Sequence, residues 1–557
     1  MTRSLNLNDI QGNVLRAYGR YSFPFARYFF LNIAKPHQGR AFVDAVRQKV
    51  TTSARWPEQA EKPDCTVNIG FSFQGMLKLE IRQRTLQTMP LEFVEGMKNR
   101  AFILGDRDNT KIEEEAEGWD AHWDPLWRRN RRGDGNDSNN VHMWISLNAQ
   151  LKQPGGDQPV DALEEKTAWL RDLCAKSDDG VRILPGIGRD TPDLDYLQAS
   201  AVFDDVGGVK VPTPKEHFGF ADGIGDPVFE GQYPADVEKT AVIGRGKRMD
   251  GKWEPIATGE FILGHPDESQ ELPPAAVPPE FSNNGTFMAF RKLHENVQTF
   301  DEVLTEEAEN YAKINDIPLI EARETLRAKM CGRWVDGVPL AVVPTYDEWL
   351  AFRTRKGMDD PDPFKAAKAQ YDYLKSPEAS DFRYADDMAC VKCPGGSHLR
   401  RVNTRDYLDP LNAFGTDPKT GKPHSNPKAT SALNKRRRVL RRGLPYGASD
   451  PKNNTDKTQQ GVAMMLMGSS LFRQFEFVQQ QWIEYDLDFH QGNNTCPLLG
   501  NHDHHKRHTI ASDPASVRQP YVMSKLKTFV ECRGGEYFFI PSMTALRMMA
   551  MGIVDPT

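Results

Sequence analysis

Cysteine is scarce in this chain: seven residues, at 65, 174, 331, 390, 393, 496 and 532, among 557. An odd number spread so thinly argues against a disulfide framework, and reduced thiols are expected. An excess of basic charge is also missing. The net charge is -6, with 27% charged and 39% hydrophobic residues, a balance that fits a globular protein and gives no whole-chain attraction for nucleic acid. No apolar run reaches the roughly 18 residues that a membrane span needs. The opening residues MTRSLNLNDIQGN lack the apolar core of a secretory signal. Neither membrane insertion nor export is expected, and a cytoplasmic address follows. No internal repeat is visible.

The length exceeds that of one ordinary core and suggests at least two units. CTVNIGFSFQGMLKL (65–79) and NVHMWISLNAQL (140–151) gather apolar residues at strand length. GRAFVDAVRQKV (39–50) and ALEEKTAWLRDLCAK (162–176) repeat them at helical spacing. This order predicts an α+β unit over 1–205. A second, larger α+β unit is predicted over 206–557, with strands at 259–264, 284–293, 461–468 and 536–542. A charged helical region is expected at about 300–330, and an amphipathic helix in SLFRQFEFVQQQWIEY, 470–485. Insertions are expected at about 300–385 and at 414–430, the latter an exposed Pro-, Gly-, Ser- and Lys-rich loop.

Three segments carry candidate chemistry. HFGFADGIGDP (217–227) sets Asp222 among three glycines, which let the backbone turn and approach a ligand without a side chain in the way. An aspartate there either closes an Asx-turn or meets a ligand. In CPGGSHLRRVNTRD (393–406), His398 follows a Pro-Gly-Gly turn and precedes several arginines. A neutral imidazole can ligate a haem iron, and guanidinium groups pair with carboxylates through two parallel hydrogen bonds. Third, VLRRGLPYG (439–447) presents Arg441 and Arg442, cations at any working pH that can stabilise developing charge on oxygen.

GFADG (219–223) resembles the G-x-x-D-G signature of the dye-decolorizing peroxidases. The resemblance continues in order through DIQGNVLRAYG (9–19), GEFILGHPDE (259–268), NGTFMAFRKL, AKMCGRWVDGVPL (328–340), HLRRVNTRD, LRRGLPYG, QFEFVQQQW (474–482) and RGGEYFFIPS (533–542), nearly the whole chain. Thr404 and His265 depart from the usual pattern, as does the length between His398 and Arg441. The resemblance implies two tandem ferredoxin-like α+β domains with antiparallel sheets and peripheral helices, and haem b held mainly by the second. It makes Asp222 the distal acid/base, Arg441 the distal charge stabiliser with Arg442 as fallback, and His398 the proximal iron ligand. Arg291, Arg400 and Arg405 become candidates for the haem propionates, and Glu476 for the group behind His398. The implied reaction is the oxidation of dyes, phenols or other bulky aromatic donors by hydrogen peroxide in one-electron steps, without nucleic acid or membrane partners and compatible with a homo-oligomer. The alternative is a haem carrier or sensor on the same fold, for which His398 suffices.

An aspartate begins near a pKa of about 3.9 and a histidine near about 6.5, so a carboxylate base is expected to work in acid that would silence an imidazole. Competing signals are weaker. Cys390 and Cys393 form a lone C-x-x-C, read as packing. NHDHHKRH (501–508) holds four histidines and is read as a polar loop, with transition-metal binding as the other reading. NKRRRVLRR (434–442) could meet polyanions. Trp119, Trp123 and Trp127 recur every four residues and are expected in the core.

Overall fold

The computed structural model describes the chain apart from residues 1–4, 57–61, 107–118, 130–137, 189–190, 413–428, 451–452, 503–504, 513–518 and 554–557. Most of the 414–430 loop expected from sequence lies outside the described residues.

Nine strands form the main sheet: β1 (Phe25–Ile33), β2 (Cys65–Phe71), β3 (Met143–Ala149), β4 (Val181–Ile183), β5 (Leu197–Ser200), β6 (Thr286–Glu295), β7 (Leu440–Tyr446), β8 (Gly461–Gly468) and β9 (Val530–Ile540). Their order is β3-β2-β9-β6-β8-β7-β5-β1-β4, and β1 also pairs with β3, so eight strands close into a ring with β4 beside β1. Every pairing is antiparallel. Strands β6 to β9 follow the ferredoxin-like order β9-β6-β8-β7, and the first half repeats it as β2-β3-β1-β4. The α+β class with tandem ferredoxin-like sheets is therefore as expected. The two arcs meet through single residue pairs, Phe71 with Phe539 and Ala199 with Tyr446.

Strand alternation sorts the side chains into two cores, because successive residues point to opposite faces. Inside the ring, Tyr28, Phe30, Trp144, Met288, Phe290, Met465 and Phe538 pack together. Outside, Phe29, Val67, Ile69, Ile145, Phe287 and Phe539 meet the helices. Helix α1 (Pro36–Arg47) buries Phe42, Val43 and Val46 there, and α2 (Ala162–Ala175) buries Leu163 and Leu170. Each such side chain contributes roughly 1.5–3 kcal/mol on removal from water. Trp123 and Trp127 join the inner core, as expected.

Three local expectations change. The segment 65–79 is a strand only to Phe71, because Ser72 then caps a helix, Phe73–Lys78, by accepting a hydrogen bond from Gly75 N. GEFILG is no strand: Thr258–Glu260 forms a single 3-10 turn, although Phe261, Ile262 and Leu263 are buried. The apolar stretch at 470–485 is helical but widened into π turns over Leu471–Glu476 and Val478–Ile483. The charged region resolves into α3 (Val297–Asn315) and α4 (Leu319–Cys331).

Candidate active site

Residues of β6 continue the alternation past Phe287 and Ala289 to Arg291, Leu293 and Glu295, which with Met464 and Leu466 of β8 and Arg441 of β7 line a cavity of about 1000 Å3. Its other walls come from the 216–227 turn, from α5 (His398–Val402), and from the π-helical stretches. Phe102, Ile103, Gly105, Asp106 and His122 are the lining residues drawn from the first 205.

Asp222, Arg441 and His398 all line this one cavity. The turn that carries Asp222 needs backbone conformations open to glycine: Gly219, Gly223 and Gly225 have φ of 89°, 80° and 75°. A Cβ on Gly219 would stand 2.9 Å from Arg327 Nη2. Asp222 N donates to Pro214 O and Ala221 N to Val335 O, which fixes the turn against the chain on both sides.

The Asp222 carboxylate lies between two arginines. Arg441 Nη1 donates to Oδ1 at 2.8 Å, and Arg20 Nη2 reaches Oδ2 at 3.3 Å. Burial alone would raise the carboxyl, yet the charges of Arg441 and Arg20 hold it well below the usual carboxylate range. Sequence reading missed Arg20, which lies more than 200 residues away in a segment without a charged motif. Arg441 also donates to Ile224 O at 3.1 Å, so it braces the turn it faces.

Strand register separates Arg441 from its neighbour. Arg441 pairs with Leu466, a cavity residue, whereas Arg442 pairs with Met465 of the inner core. Arg442 instead ties Asp226 Oδ2 to the carbonyls of Asn13 and Val14.

His398 opens α5 directly after the Pro394-Gly395-Gly396 turn. Burial, followed by the charge of Arg441, pushes its imidazole down to about 4, so the ring is neutral at working pH. The group behind it is the thiol of Cys496, whose Sγ lies 3.4 Å from Nδ1. Glu476 is not there. Its carboxylate is bonded to Arg100 Nη2 at 2.6 Å and Tyr537 hydroxyl at 2.7 Å, because the π-helical stretch turns it toward the sheet.

The expected propionate arginines also need correction. Arg291 lines the cavity but is already paired at both Nη atoms with Asp106. Arg400 is buried elsewhere, donating to Asp387 and Cys393 O with its guanidinium over Tyr384 and Tyr407. Arg405 stacks on Phe382 and donates to its carbonyl. The cavity takes Arg333, Arg437 and Arg438 instead. Among the described residues none of these three has a carboxylate within ion-pair range, and burial lowers all three guanidinium groups from their ordinary value, Arg438 to about 10. Cations enclosed without anions favour an anionic occupant. The NKRRRVLRR run contained two of the three, although it reads from sequence as a polyanion patch. Its Lys435 and Arg436 are held by Glu268 and Asp267.

Among the described residues no cluster of three metal-ligating side chains exists. His502 meets Thr495 Oγ1, and His508 faces Lys329 O. All seven cysteines are free. No helix among the described residues is long and apolar enough to cross a membrane.

No protein-family model matches the chain. It is 23% identical over 560 residues to a dye-decolorizing peroxidase of Mycetinis scorodonius, an alignment that covers 98% of this chain and 87% of the relative. It is 24% identical to a dye-decolorizing peroxidase of Auricularia auricula-judae, again over 98% of this chain and 86% of the relative. The crystal structure of a fungal peroxidase of this type from Auricularia auricula-judae superposes with a TM-score of 0.65 at 21% identity, covering 98% of this chain and all of that one. The chain is similar to dye-decolorizing peroxidases over nearly its whole length and has their fold. An ancestral peroxidase of the D type within that group superposes with a TM-score of 0.67 at 22% identity over 98% of this chain. The likeness spans both arcs of the ring.

Proposed function

We propose that the chain is a dye-decolorizing-type haem peroxidase, with Asp222 as distal acid/base, Arg441 as distal charge stabiliser and His398 as the iron ligand in the cavity they share. The reading rests on one observation: an aspartate kept ionised by arginines shares that cavity with a neutral histidine. The donor set suits haem b. His398 offers a neutral imidazole for iron, the walls include Leu293, Val462, Leu466 and Leu498, and the three arginines without a carboxylate partner among the described residues suit two carboxylates. Arg333, Arg437 and Arg438 are the proposed propionate partners, in place of Arg291, Arg400 and Arg405. Residues 206–557 act as the haem-binding domain and 1–205 as the supporting one.

When bound, haem supplies the iron at which the peroxide O–O bond breaks and which then draws single electrons from a donor. The chain's own residues handle the proton. Asp222 would accept a proton from one peroxide oxygen and return it to the other, which leaves as water, with Arg441 stabilising charge on the departing oxygen. Donors are dyes, phenols or other bulky aromatics. Dye turnover is measured with hydrogen peroxide alongside the haem absorption spectrum. Wild type should show an intense Soret band and turnover, Asp222→Asn the band without turnover, and His398→Ala an altered band. A Soret band without turnover in wild type would instead favour a haem carrier or sensor.

A further inference from the structure

Two carboxyl groups line the cavity beside Asp222 and take no part in the chemistry above: Glu216 and Glu295. Glu295 ends β6, and its Oε2 accepts from His217 N at 3.1 Å. Glu216 accepts from Phe218 N and from Phe220 N, both at 2.8 Å, so its side chain folds over the backbone that leads to Asp222. The same turn is closed by Glu216 N donating to Phe220 O and Gly219 N donating to Glu216 O. The two carboxyl groups also hydrogen-bond each other. Two carboxylate anions have no proton to offer, so such a contact requires one of them to be protonated. Among the described residues neither has an ion-pair partner to offset a second charge.

We propose that Glu216 and Glu295 share a single proton, and that this protonated pair is the positioning element that holds the 216–222 turn and, with it, Asp222. The kinetic part rests on the role assigned to Asp222; the proton itself does not. Burial is the largest cause favouring the neutral form at each position; Glu216 raises Glu295 further, whereas the hydrogen bond with Glu295 lowers Glu216, as expected if the shared proton rests on Glu295. The groups facing the pair do not reverse this. Asp222 adds negative charge, burial raises the Cys331 thiol on α4 and the Tyr446 hydroxyl on β7, and burial lowers His217 below its ordinary value. Arg20 and Arg441 lie on Asp222 instead.

A glutamic acid whose pKa is raised on folding contributes stability at low pH and loses it as pH rises through the folded value. Loss of the shared proton leaves two like charges in contact, the half-buried Glu216 and the buried Glu295, with Asp222 as a third. The turn should then loosen from the alkaline side, while Asp222 itself limits only the acid side.

The test uses the purified full-length chain, wild type, Glu295→Gln and Glu295→Ala. The Glu295→Gln amide can donate to Glu216 and accept from His217 N, so it keeps the contacts without a titratable proton. Infrared difference spectra with isotope-labelled glutamate should show a protonated carboxyl in wild type at about pH 6, where free glutamate, with a pKa of about 4.3, is ionised. Burial also pushes Glu484 up to about 8, so its band is common to both proteins, and Glu295→Gln should lose the band that the wild-type-minus-variant difference isolates. Amide protection at Phe218 and Phe220 should fall at least tenfold between about pH 6 and pH 9 in wild type. It should stay constant in Glu295→Gln and be low throughout in Glu295→Ala. Peroxide consumption should lose its alkaline limb in Glu295→Gln. A wild-type-minus-variant difference without a protonated carboxyl at pH 6, or a Glu295→Gln chain whose protection falls like wild type, overturns the proposal. If peroxide is not consumed at all, the role of Asp222 fails while the infrared and exchange results still decide this one.

Discussion

Removing Arg20 should move the acid limit of peroxide consumption and little else. Its Nη2 lies 3.3 Å from Asp222 Oδ2, and its side chain does not line the cavity. Two unit charges at that separation interact by about 1.3 kcal/mol in water and about 5 kcal/mol at an effective permittivity of 20. Asp222 exposes 26% of its side chain, so the lower part of that range applies, about 1.5–3 kcal/mol after screening. At 1.36 kcal/mol per unit, Arg20→Leu should raise the Asp222 carboxyl by about one to two pH units. In wild type the carboxyl lies well below the usual range, so the rate should be level down to the lowest pH the fold tolerates. A depressed carboxylate loses its contribution as pH falls through its folded value, and the variant should lose it earlier. Stopped-flow measurement of the second-order rate constant with hydrogen peroxide from about pH 2.5 to 7 should show the acid limb entering the window, with the plateau above pH 5 within about twofold of wild type. An unmoved limb would refute the electrostatic role of Arg20. A collapsed plateau would mean that Arg20 acts on peroxide directly.

Further outcomes follow from the same geometry. Arg441→Leu removes both a charge on Asp222 and the stabilising cation, so the plateau itself should fall by about two orders of magnitude or more in the same stopped-flow assay. Arg437→Ala and Arg438→Ala should each weaken haem retention about 10- to 100-fold, from a charge-assisted hydrogen bond of about 1.5–3 kcal/mol, read as the rate of haem transfer to a scavenger protein. Glu476→Gln removes one of the two carboxylates on Arg100, leaving Glu95, and should cost about 1.5–3 kcal/mol in denaturant unfolding, with the haem spectrum unchanged because Glu476 does not line the cavity.

Much of the fold was legible because its signals are local. Alternation in TFMAFRKL and GVAMMLMG gave strands at nearly their observed limits, and three-four spacing gave α1 and α2. GEFILG misled because a short apolar run is buried equally well in a turn, and periodicity alone does not separate the two. Asp222 and His398 were legible because glycine-rich turns leave a mark in sequence. The propionate candidates were not, since an arginine has the same letter whether it is spent on Asp106, stacked between tyrosines or left facing a cavity. Arg20 and Cys496 reach the site only through tertiary folding, and nothing adjacent to either residue announces it.

The ring of strands has one more implication. Each half of the chain contributes an arc whose two ends are finished only by the other half, at Phe71 with Phe539 and Ala199 with Tyr446. Either arc made alone would carry two raw borders of unpaired amides and carbonyls, the template on which β-proteins clump. Fusion of both arcs in a single polypeptide delivers each border to its cap at high local concentration, so the halves protect one another from aggregation as well as from unfolding.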